Sequence, residues 1–574
     1  MTGANPALRS NLPAMPAPPD LPYSVLAQEN PDYDCSLISE LDDLYVGGYQ
    51  LQRNAEKYLP KIVNESDGRH KERASQTAYV PYLGHIVDHF SSAVFAQPIH
   101  VRPSNDSTDP DPEFYEHFSS DADLGSSAFH EVAKSMLTTA LVQRRAVLCV
   151  DFPPPVEGVA TRFDEERSGA TRAYVGEVPL ESLIDWEVDT RVRRRVKLEG
   201  GAVEFDVGWF KWAILHTWRT ERPSFLASRN ERVDSWKVWR RDEESGAVVW
   251  DVYEMRRKAL SDGTYAEPRK NTKVPWVDGG VTSFQVVPLV EMSLPGGLWV
   301  GNKLGPLVKE HFQRRSMINS SENRSLGATA WMSLGPEVPA LHGELPAMVQ
   351  QDPHRGDSAA QRAREAGFLV IGSDDELGYL EPSGNYAKLA EDRMAKLVDE
   401  IYRVSHLMAA SVSSTSTSVG RSGTSKQEDR HSTAIVLSAL GCIVREMARR
   451  VYEVISDARS EVVEWVASGL DHYDLTDRAE VIAEATQVDA VAIPSVTFKT
   501  QYKTELAMRL MPQLSPEEQN TIRDEIEAGI READEAAKAL AAAAPAAPAP
   551  ADAAEDEDPA ESPPGAGKQE PTDV

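Results

Sequence analysis

The stretch from Gly420 to Lys426, GRSGTSK, comes closest to a familiar chemistry, that of a loop that holds phosphate groups. A nucleotide-binding P-loop needs the spacing G-x-x-x-x-G-K-[ST] after a strand, because backbone N–H groups must then surround the phosphates. This stretch lacks that spacing, and a helical pattern precedes it instead of a strand. The sequence therefore does not predict nucleotide binding here.

No other pattern predicts catalysis or a metal site. The sequence has no G-x-S-x-G elbow, no H-E-x-x-H motif and no EF-hand loop. His85 and His89 lie one helical turn apart, which suits two metal ligands, but no third ligand is in view, and a solvated or capping pair is the simpler interpretation. We expect a protein that is not an enzyme, without catalytic residues, cofactor or metal.

The wider loop around GRSGTSK suggests light contact with a polymer such as DNA. Ser411–Ser425 reads SVSSTSTSVGRSGTS and has no apolar periodicity. Small hydroxyl side chains hydrogen-bond to phosphates without reading sequence, so such loops arranged around a ring would touch a duplex weakly. The alternative is a plain flexible linker. The residues proposed for the contact are Ser413, Ser414, Thr415, Ser416, Thr417, Ser418, Arg421 and Lys426.

Helical patterns flank the polar loop and would position it. Asn385–Ala410 carries apolar residues at steps of three and four, which form a narrow seam for packing against another helix. A second seam begins at Lys426. Upstream, Lys303–Leu326 is apolar in its first turns and nearly all polar later, a pattern typical of a helix that lines a neighbour or a water-filled space. The residues assigned to the first seam are Met394, Leu397, Ile401, Val404 and Met408.

The region before Lys303 is predicted to combine helices with a strand-rich part. Ser126–Val142 has the pattern of a helix and Ala146–Phe152 that of a buried strand. Strand patterns then continue, and nine of the eleven tryptophans lie from Trp186 to Trp299. Aromatic alternation of this kind favours sheet packing over a ligand site.

Composition predicts loops and disordered ends. Val101–Gly125, rich in Asp and Pro, is predicted as a loop. Residues 1–30 are rich in Pro and Ala and are predicted to be disordered or extended. Residues 536–574 are Ala/Pro-rich and then acidic, and are predicted to be disordered. Before the acidic end, Thr497–Gln513 and Ser515–Gly529 are predicted as two short helices.

Charge and cysteine content restrict the class of protein. The net charge of −30 argues against adhesion to nucleic acid through a basic face, yet it suits a conduit that must not hold its cargo. Cys35, Cys149 and Cys442 form no C-x-x-C pair and are expected to be lone buried thiols in a reducing cytoplasm. We find neither an apolar run long enough for a membrane helix nor a signal-peptide pattern, and expect assembly in a cytoplasm without a membrane.

Four segments, in their order along the chain, resemble the portal proteins of tailed bacteriophages. Ile401–Ile455 resembles the second stem helix, a turn of the form SG-x-[AS]-K, here Ser422–Lys426, and the crown helix. The long acidic C-terminal part and the Pro-rich N-terminus depart from the family's pattern. The other three segments are RASQTAYVPYLGHIVDHFSSAVFAQPI, YVGEVPLESLIDWEVD, and VPLVEMSLPGGLWVGNKLGPLVKEHFQRRSMINSSENRSL, which is similar to the approach to the first stem helix.

The resemblance implies an α+β portal fold with an α/β wing, a two-helix stem, a small α/β clip insertion and a helical crown. It implies a dodecameric ring at one capsid vertex, which conducts double-stranded DNA during packaging and ejection and to which a connector or tail attaches. The implied segments are a disordered arm 1–30, wing 31–302, first stem helix 303–328, clip 329–384, second stem helix 385–410, tunnel loop 411–425, crown 426–535 and disordered acidic tail 536–574.

The implied partners are further copies of the chain, DNA held without sequence preference, the terminase large subunit, a head–tail connector or adaptor, and the major capsid or scaffolding protein. The implied location is the portal vertex of the virion, after assembly in the host cytoplasm. The alternative from a different class is a helical scaffold or adaptor of the virion that conducts nothing. A third hypothesis is an enzyme whose site lies in the tryptophan-rich region.

Overall fold

The structure is a computed structural model that describes two compact units, 1–476 and 477–574. The residues described are 18–62, 65–104, 111–153, 172–189, 193–198, 201–206, 208–222, 230–242, 246–259, 264–325, 329–333, 369–371, 378–380, 385–405, 423–470, 473, 482, 485–488, 495–511 and 516–543.

The first unit begins with helices that pack around α6. Pro81 precedes α6, and most apolar residues of this helix, among them Leu83, Ile86 and Phe90, are buried. The amphipathic spacing of these residues therefore fixes the face that α6 turns to the core. The helices are α1 Tyr23–Leu26, α2 Cys35–Val46, α3 Gly48–Arg53, α4 Ala55–Tyr58, α5 Asp67–Gln76, α6 Tyr82–Val94, α7 Pro112–Ser120 and α8 Phe129–Gln143.

Strands follow these helices, and the sheets are small and mostly antiparallel. A three-stranded sheet has the order β13-β3-β4, and a five-stranded sheet has the order β12-β10-β9-β8-β5. The strands are β1 Leu21–Pro22, β2 His100–Pro103, β3 Arg145–Asp151, β4 Tyr174–Val178, β5 Leu183–Asp189, β6 Arg193–Leu198, β7 Gly201–Asp206, β8 Trp209–Glu221, β9 Glu231–Arg241, β10 Val248–Lys258, β11 Lys273–Val274, β12 Trp276–Val281 and β13 Leu289–Ser293. Helices followed by antiparallel strands confirm the α+β class.

The tryptophans belong to the packing of the five-stranded sheet. Trp209, Trp236, Trp239 and Trp250 are buried on strands β8, β9 and β10. Aromatic side chains stabilise a half-buried pleated surface, as the sequence pattern predicted.

The N-terminal arm departs from the predicted disorder. Leu21 and Pro22 pair with Val274 and Lys273 of β11, and Leu26 is fully buried in a cluster beside Trp236. The composition of this segment is disorder-prone, but one buried leucine and the strand pairing hold it on the sheet. The prediction of disorder is therefore wrong for the described residues after 17, and the earlier residues lie outside the described part.

The loop predicted at Val101–Gly125 contains helix α7 and most of strand β2. Pro112 occupies the first helical position, and the Asp111 carboxylate accepts a hydrogen bond from the Glu113 N–H. An acidic cap followed by proline is a helix start, so the Asp/Pro composition that suggested a loop instead marks a boundary.

Three long helices and a small sheet follow the strand-rich region. Helix α9 spans Val300–Ser325, α10 spans Asn385–Val404 and α11 spans Gly423–Ala458. Between α9 and α10 lies a three-stranded sheet of β14 Thr329–Ser333, β15 Leu369–Ile371 and β16 Gly378–Leu380, in the order β15-β14-β16. After α11, β17 Trp465–Ser468 pairs with β2.

The three cysteines are free thiols, but two of them are not buried. Cys35 and Cys442 are exposed, whereas Cys149 is half-buried on β3, where burial raises the pKa of its thiol to about 11. The predicted burial of Cys35 and Cys442 is therefore wrong. A lone cysteine behaves as a small apolar residue and tolerates either environment.

The second unit contains two helices that pack against each other, α12 Val496–Leu510 and α13 Pro516–Ala543. Helix α13 continues past residue 536, where disorder was predicted, because the alanine-rich sequence has high helix propensity. Residues after 543 lie outside the described part. No side chain described in this unit is buried, so α12 and α13 together form no closed apolar core.

Candidate functional site

The candidate site consists of the packed helices α9 and α10 and the start of α11. Helices α10 and α11 flank the polar loop in sequence. The first half of α9 is an integral part of the core: Val300, Leu304, Val308 and Phe312 are buried. A Cβ at Gly301 would lie 2.1 Å from the Val142 carbonyl oxygen at the end of α8. Only glycine allows this close approach, which fixes where α9 begins.

A buried ion pair fastens the middle of α9 to the helices before it. The Arg73 Nε atom lies 2.7 Å from a Glu65 carboxylate oxygen, and Arg73 Nη1 donates to Ser316 Oγ at 2.7 Å. A further Arg73 bond reaches the Pro60 carbonyl at 2.8 Å. The hydrogen bonds from Arg73 lower the pKa of Glu65. Both charged side chains are almost fully buried, so each depends on the other for compensation.

Two more polar contacts hold the same face of α9. Lys309 Nζ lies 2.9 Å from Glu40 Oε1 on α2, and Gln313 Nε2 donates to the Tyr58 carbonyl at 2.9 Å. With Arg73 and Ser316, these contacts place three polar anchors along one side of the helix.

His311 marks the junction of α6, α9 and α10. The Tyr82 ring makes edge contacts with His311 at 5.0 Å and with Tyr402 at 6.3 Å between centroids. Burial, reinforced by the positive charge of Arg315, lowers the pKa of His311 to about 4. The imidazole is therefore neutral at neutral pH and serves as a packing group in this junction.

The predicted seam of α10 lies partly in the core. Leu397 and Ile401 are buried, and Met394 and Val404 are half-buried. Met408 lies outside the described part of the chain. The opposite side of α10 is charged and exposed, and it also carries Leu389, whose surface is 51% exposed.

Most of the predicted loop contacts fall outside the described residues. These are Ser413, Ser414, Thr415, Ser416, Thr417, Ser418 and Arg421. Lys426 lies in the first turn of α11, and its side chain is outside the described part. The structure therefore places the two helices that flank the loop and leaves the assignment of its contacts a prediction.

A cleft lies where the chain leaves α10 for the loop. It is formed by α6, the start of α9, the end of α10 and α11, and Lys303 is the charged residue on its wall. Its lining residues are Phe90, Gly297, Leu298, Val300, Lys303, Leu304, Val404, Ser405 and Val436. A mainly apolar lining with one lysine offers no set of groups for catalysis.

Helix α11 follows the loop in sequence and packs into the core. A Cβ at Gly441 would lie 2.0 Å from the Leu470 carbonyl oxygen, so the helix contacts the following segment at glycine. Burial alone would raise the pKa of Glu446, but hydrogen bonds and charge from Arg449 and Arg450 lower it. Arg450 in turn lies over the Trp209 ring at 5.9 Å and links α11 to the five-stranded sheet.

The described residues contain no group of three or more His, Cys, Asp and Glu side chains placed to hold a metal ion. His85 and His89 lie on α6, where burial and the neighbouring His85 lower the pKa of His89. Within the same part of the chain, no helix has the length and apolarity needed to cross a membrane.

Sequence reasoning missed Arg73, Ser316 and His311. Arg73 and Ser316 are 243 positions apart, and their pairing has no local signal in the sequence. One hint was present: Arg73 lies in an otherwise polar helix, and Ser316 follows the apolar turns of α9. A buried arginine needs a partner, but the sequence does not name it.

Comparison with known proteins gives structural neighbours only. No protein-family model matches the chain, and a search of curated proteins gave no match. Among solved structures, the chain is similar to a chain in the virion of a native gene transfer agent particle, at 10% identity and a TM-score of 0.38, over 84% of this chain and 98% of that one. It is also similar to a chain in the neck of an empty gene transfer agent particle, at 10% identity and a TM-score of 0.36, over 74% and 90%.

Proposed function

We propose that the chain is a structural protein of a phage-like virion, and specifically a portal subunit. Copies of it form a ring, with twelve subunits implied by the resemblance, at one vertex of the capsid. Double-stranded DNA passes through the ring during packaging by terminase and again during ejection. A connector or tail then attaches to the same ring.

The observation that carries the proposal is the order of elements from α9 to α11. Two helices pack side by side, an insertion with its own three-stranded sheet separates them in sequence, and a long core helix follows the polar loop. This is the order of stem helix, clip, stem helix, tunnel loop and crown that the resemblance implies. The proposed stem is α9 with α10, and the proposed clip is the sheet β14–β16 with its connections.

The surface chemistry of the helix pair supports a conduit. The first half of α9 is anchored in the core, whereas its later turns are polar and carry Met317, which is 44% exposed. A helix that is fixed at one end and polar at the other suits a water-filled channel. The charge of −30 keeps attraction to DNA weak, which permits movement of the duplex.

Negative-stain electron microscopy of the purified chain tests the proposal. We expect rings with a central hole and about twelvefold symmetry. Monomers, dimers or rods would instead favour a helical scaffold or adaptor that conducts nothing.

Deletion of Ser413–Ser422 tests the role of the polar loop within such rings. We expect rings of normal size that package or retain less DNA, because both flanking helices stay anchored while the contact is lost. A ring-forming variant that packages and retains a full-length genome would show that the segment is only a linker.

We also propose that the chain has no catalytic activity of its own. The motifs needed for hydrolysis of nucleotides or nucleic acids are missing from the sequence. Purified rings should show no more ATP or DNA hydrolysis than a buffer control, and robust turnover that co-purifies with the ring would overturn this part of the proposal.

A further inference from the structure

The first described residues of the chain lie against the five-stranded sheet. Residues 20–27, which we call the strap, contain β1 and α1, and β1 pairs with β11 in a two-stranded sheet of its own. The Tyr23 N–H donates to the Thr272 carbonyl at 2.8 Å, and the Ser24 N–H donates to the Lys270 carbonyl at 3.0 Å. Backbone hydrogen bonds thus hold the strap on β11 and on the residues just before it.

The strap covers one face of the sheet with a single buried side chain. Leu26 has no exposed surface, and the Tyr23 ring meets the Trp236 ring edge-on at 5.9 Å between centroids. Leu26 is the only buried side chain from residue 18 to residue 33, a stretch that the structure describes completely. The apolar groove that receives it, which we call the leucine groove, is formed by Ile184, Ile214, Trp236, Tyr253 and Val274.

The leucine groove is separate from the main core of the first unit. On β9, Trp236 belongs to the groove, whereas Trp239, three positions later, belongs to the main core, because side chains alternate between the two faces of a strand. Release of Leu26 therefore removes no contact of the main core. Segments with few buried contacts open at a lower free energy than the core does, so the strap can open while the rest of the unit stays folded.

The segment between the strap and α2 supplies a hinge. Four of the six residues from position 28 to position 33 are exposed. Within this segment Asn30 bonds to the Ile184 carbonyl through its N–H and to the Trp186 carbonyl through its amide, both at 2.8 Å. Leu26 lies nine positions before Cys35, where α2 begins, and nine extended residues span up to about 30 Å. With the Asn30 bonds released, the leucine can reach a groove on a copy that lies alongside.

We propose that the strap opens and that the leucine groove of one copy accepts the strap of a second copy. The second copy is the occupant because the contacts of Tyr23 and Leu26 show which segment fits the groove, and every copy carries that segment. Exchange of identical segments restores the same contacts, so it costs little beyond bringing two copies together. The proposal needs only two copies and therefore does not depend on the function proposed above.

A labelled peptide of residues 18–29, PPDLPYSVLAQE, tests whether the groove opens. Fluorescence anisotropy with the full chain should show saturable binding of this peptide. A peptide with Leu26→Asp should bind at least about tenfold more weakly, because an unpaired charge is costly to bury in an apolar groove. The matched control peptide with Val25→Asp carries the same added charge and should bind almost as well as the unmodified peptide, since Val25 is 45% exposed in the docked strap.

The same two substitutions in the full chain should act in the opposite direction. Leu26→Asp weakens the docking of the chain's own strap, so the groove is empty more often, and the unmodified peptide should bind about tenfold more tightly. Val25→Asp in the chain should leave the affinity for the peptide almost unchanged. Thermal melts of both variants verify that the main core stays folded.

A disulfide between β1 and β11 assigns the peptide binding to the groove under the strap. Pro22 and Lys273 are partners in this antiparallel pair, and the Cα atoms of such partners lie about 4.5–5.5 Å apart, within the range of a disulfide. The exposed thiols are first removed by Cys35→Ser and Cys442→Ser. In that chain, Pro22→Cys/Lys273→Cys oxidised at low concentration should lose peptide binding, and reduction should restore it.

The same cysteine pair distinguishes exchange between copies from docking within one chain. When Pro22→Cys/Lys273→Cys is oxidised at rising chain concentration, a growing fraction of chains should be joined by disulfides and run as dimers or larger species on a non-reducing gel. The matched control, Glu231→Cys/Lys258→Cys, places cysteines at partner positions of the adjacent strands β9 and β10. It should form disulfides only within the chain.

Four results would overturn the proposal. They are no saturable binding of the unmodified peptide, equal binding of the peptide with Leu26→Asp, equal peptide binding before and after the disulfide closes, and disulfides only within the chain at every concentration. The last result would show that the strap covers its own chain alone.

Discussion

The two halves of α9 are built in opposite ways. From Val300 to Ser316 the helix is enclosed, with apolar residues in the core and polar residues fixed by Arg73, Tyr58 and Glu40. From Met317 onward the helix is polar, with a partly exposed methionine, and its partner α10 exposes Leu389. One half is specified by contacts within the chain, whereas in the other half Met317 is exposed and the described side chains after it, as far as Ser320, are half-buried.

The difference separates residues expected to stabilise the folded chain from residues expected to act in contacts between copies. Changes in the enclosed half should alter the free energy of unfolding of the isolated chain. Changes in the open half should leave it almost unaltered and act on contacts between copies. Variants at Arg73, at the seam of α10, at His311 and at Leu389 test this separation.

Arg73→Met should have the largest effect. It leaves the nearly fully buried Glu65 carboxylate without its partner and should lower the free energy of unfolding by roughly 3–5 kcal/mol. Denaturant titration measures the change. The double variant Arg73→Met/Glu65→Leu removes both charges and should lose clearly less, and an equal loss in the two variants would contradict the role of the ion pair.

Ile401→Ala and Met394→Ala compare two positions of the same seam on α10. Ile401 is fully buried, so its truncation should cost about 3 kcal/mol, whereas Met394→Ala at a half-buried position should cost about 1 kcal/mol. Chemical denaturation of both variants measures the pair. Equal costs would mean that the open end of α10 is as enclosed as its base.

The lowered pKa of His311 predicts that the free energy of unfolding of the chain depends on pH. Its pKa in the folded chain, about 4, is below the unfolded value near 6.5, so the unfolded chain binds the proton more readily between these values. The contribution of neutral His311 is complete above pH 6.5, and roughly 2–3 kcal/mol of it is lost as pH falls to 4.

The measurement is a series of melting curves from pH 7 to pH 4. Replacement of His311 by leucine should make the decline in stability shallower than in the unmodified chain. A decline of the same steepness would assign the acid sensitivity to other groups.

Leu389→Gln should have the smallest effect on stability, within about 0.5 kcal/mol, because the leucine is exposed and its replacement creates no cavity. Ring formation is the more informative measurement. Fewer rings at unchanged stability would support a contact between copies at this face, and a drop in stability of more than 1 kcal/mol would show that Leu389 is already packed within the chain.

The sequence predicted the parts of the fold that have a local signal. Apolar spacing placed α8, α9 and α10 within a few residues, and aromatic alternation identified the sheet. The N-terminal arm and α7 were missed for one reason. Proline and aspartate are frequent in disordered segments and also at helix starts, and only tertiary contacts such as the burial of Leu26 separate the two.

The candidate site could be predicted only as far as its helices. Leu397 and Ile401 follow from periodicity because packing repeats along a helix. The pairing of Arg73 with Ser316 does not, since it joins distant positions by one hydrogen bond.

The docking of Leu26 has a consequence for synthesis of the chain. Leu26 leaves the ribosome roughly 250 residues before Val274, which packs in the same cluster, so at 5–20 residues per second it waits about 10–50 s for its site. During this interval Leu26 has no buried site, because Trp236, Tyr253 and Val274 are synthesised after it. The segment made first is therefore among the last to dock, and a chaperone that holds the nascent N-terminus would delay this step.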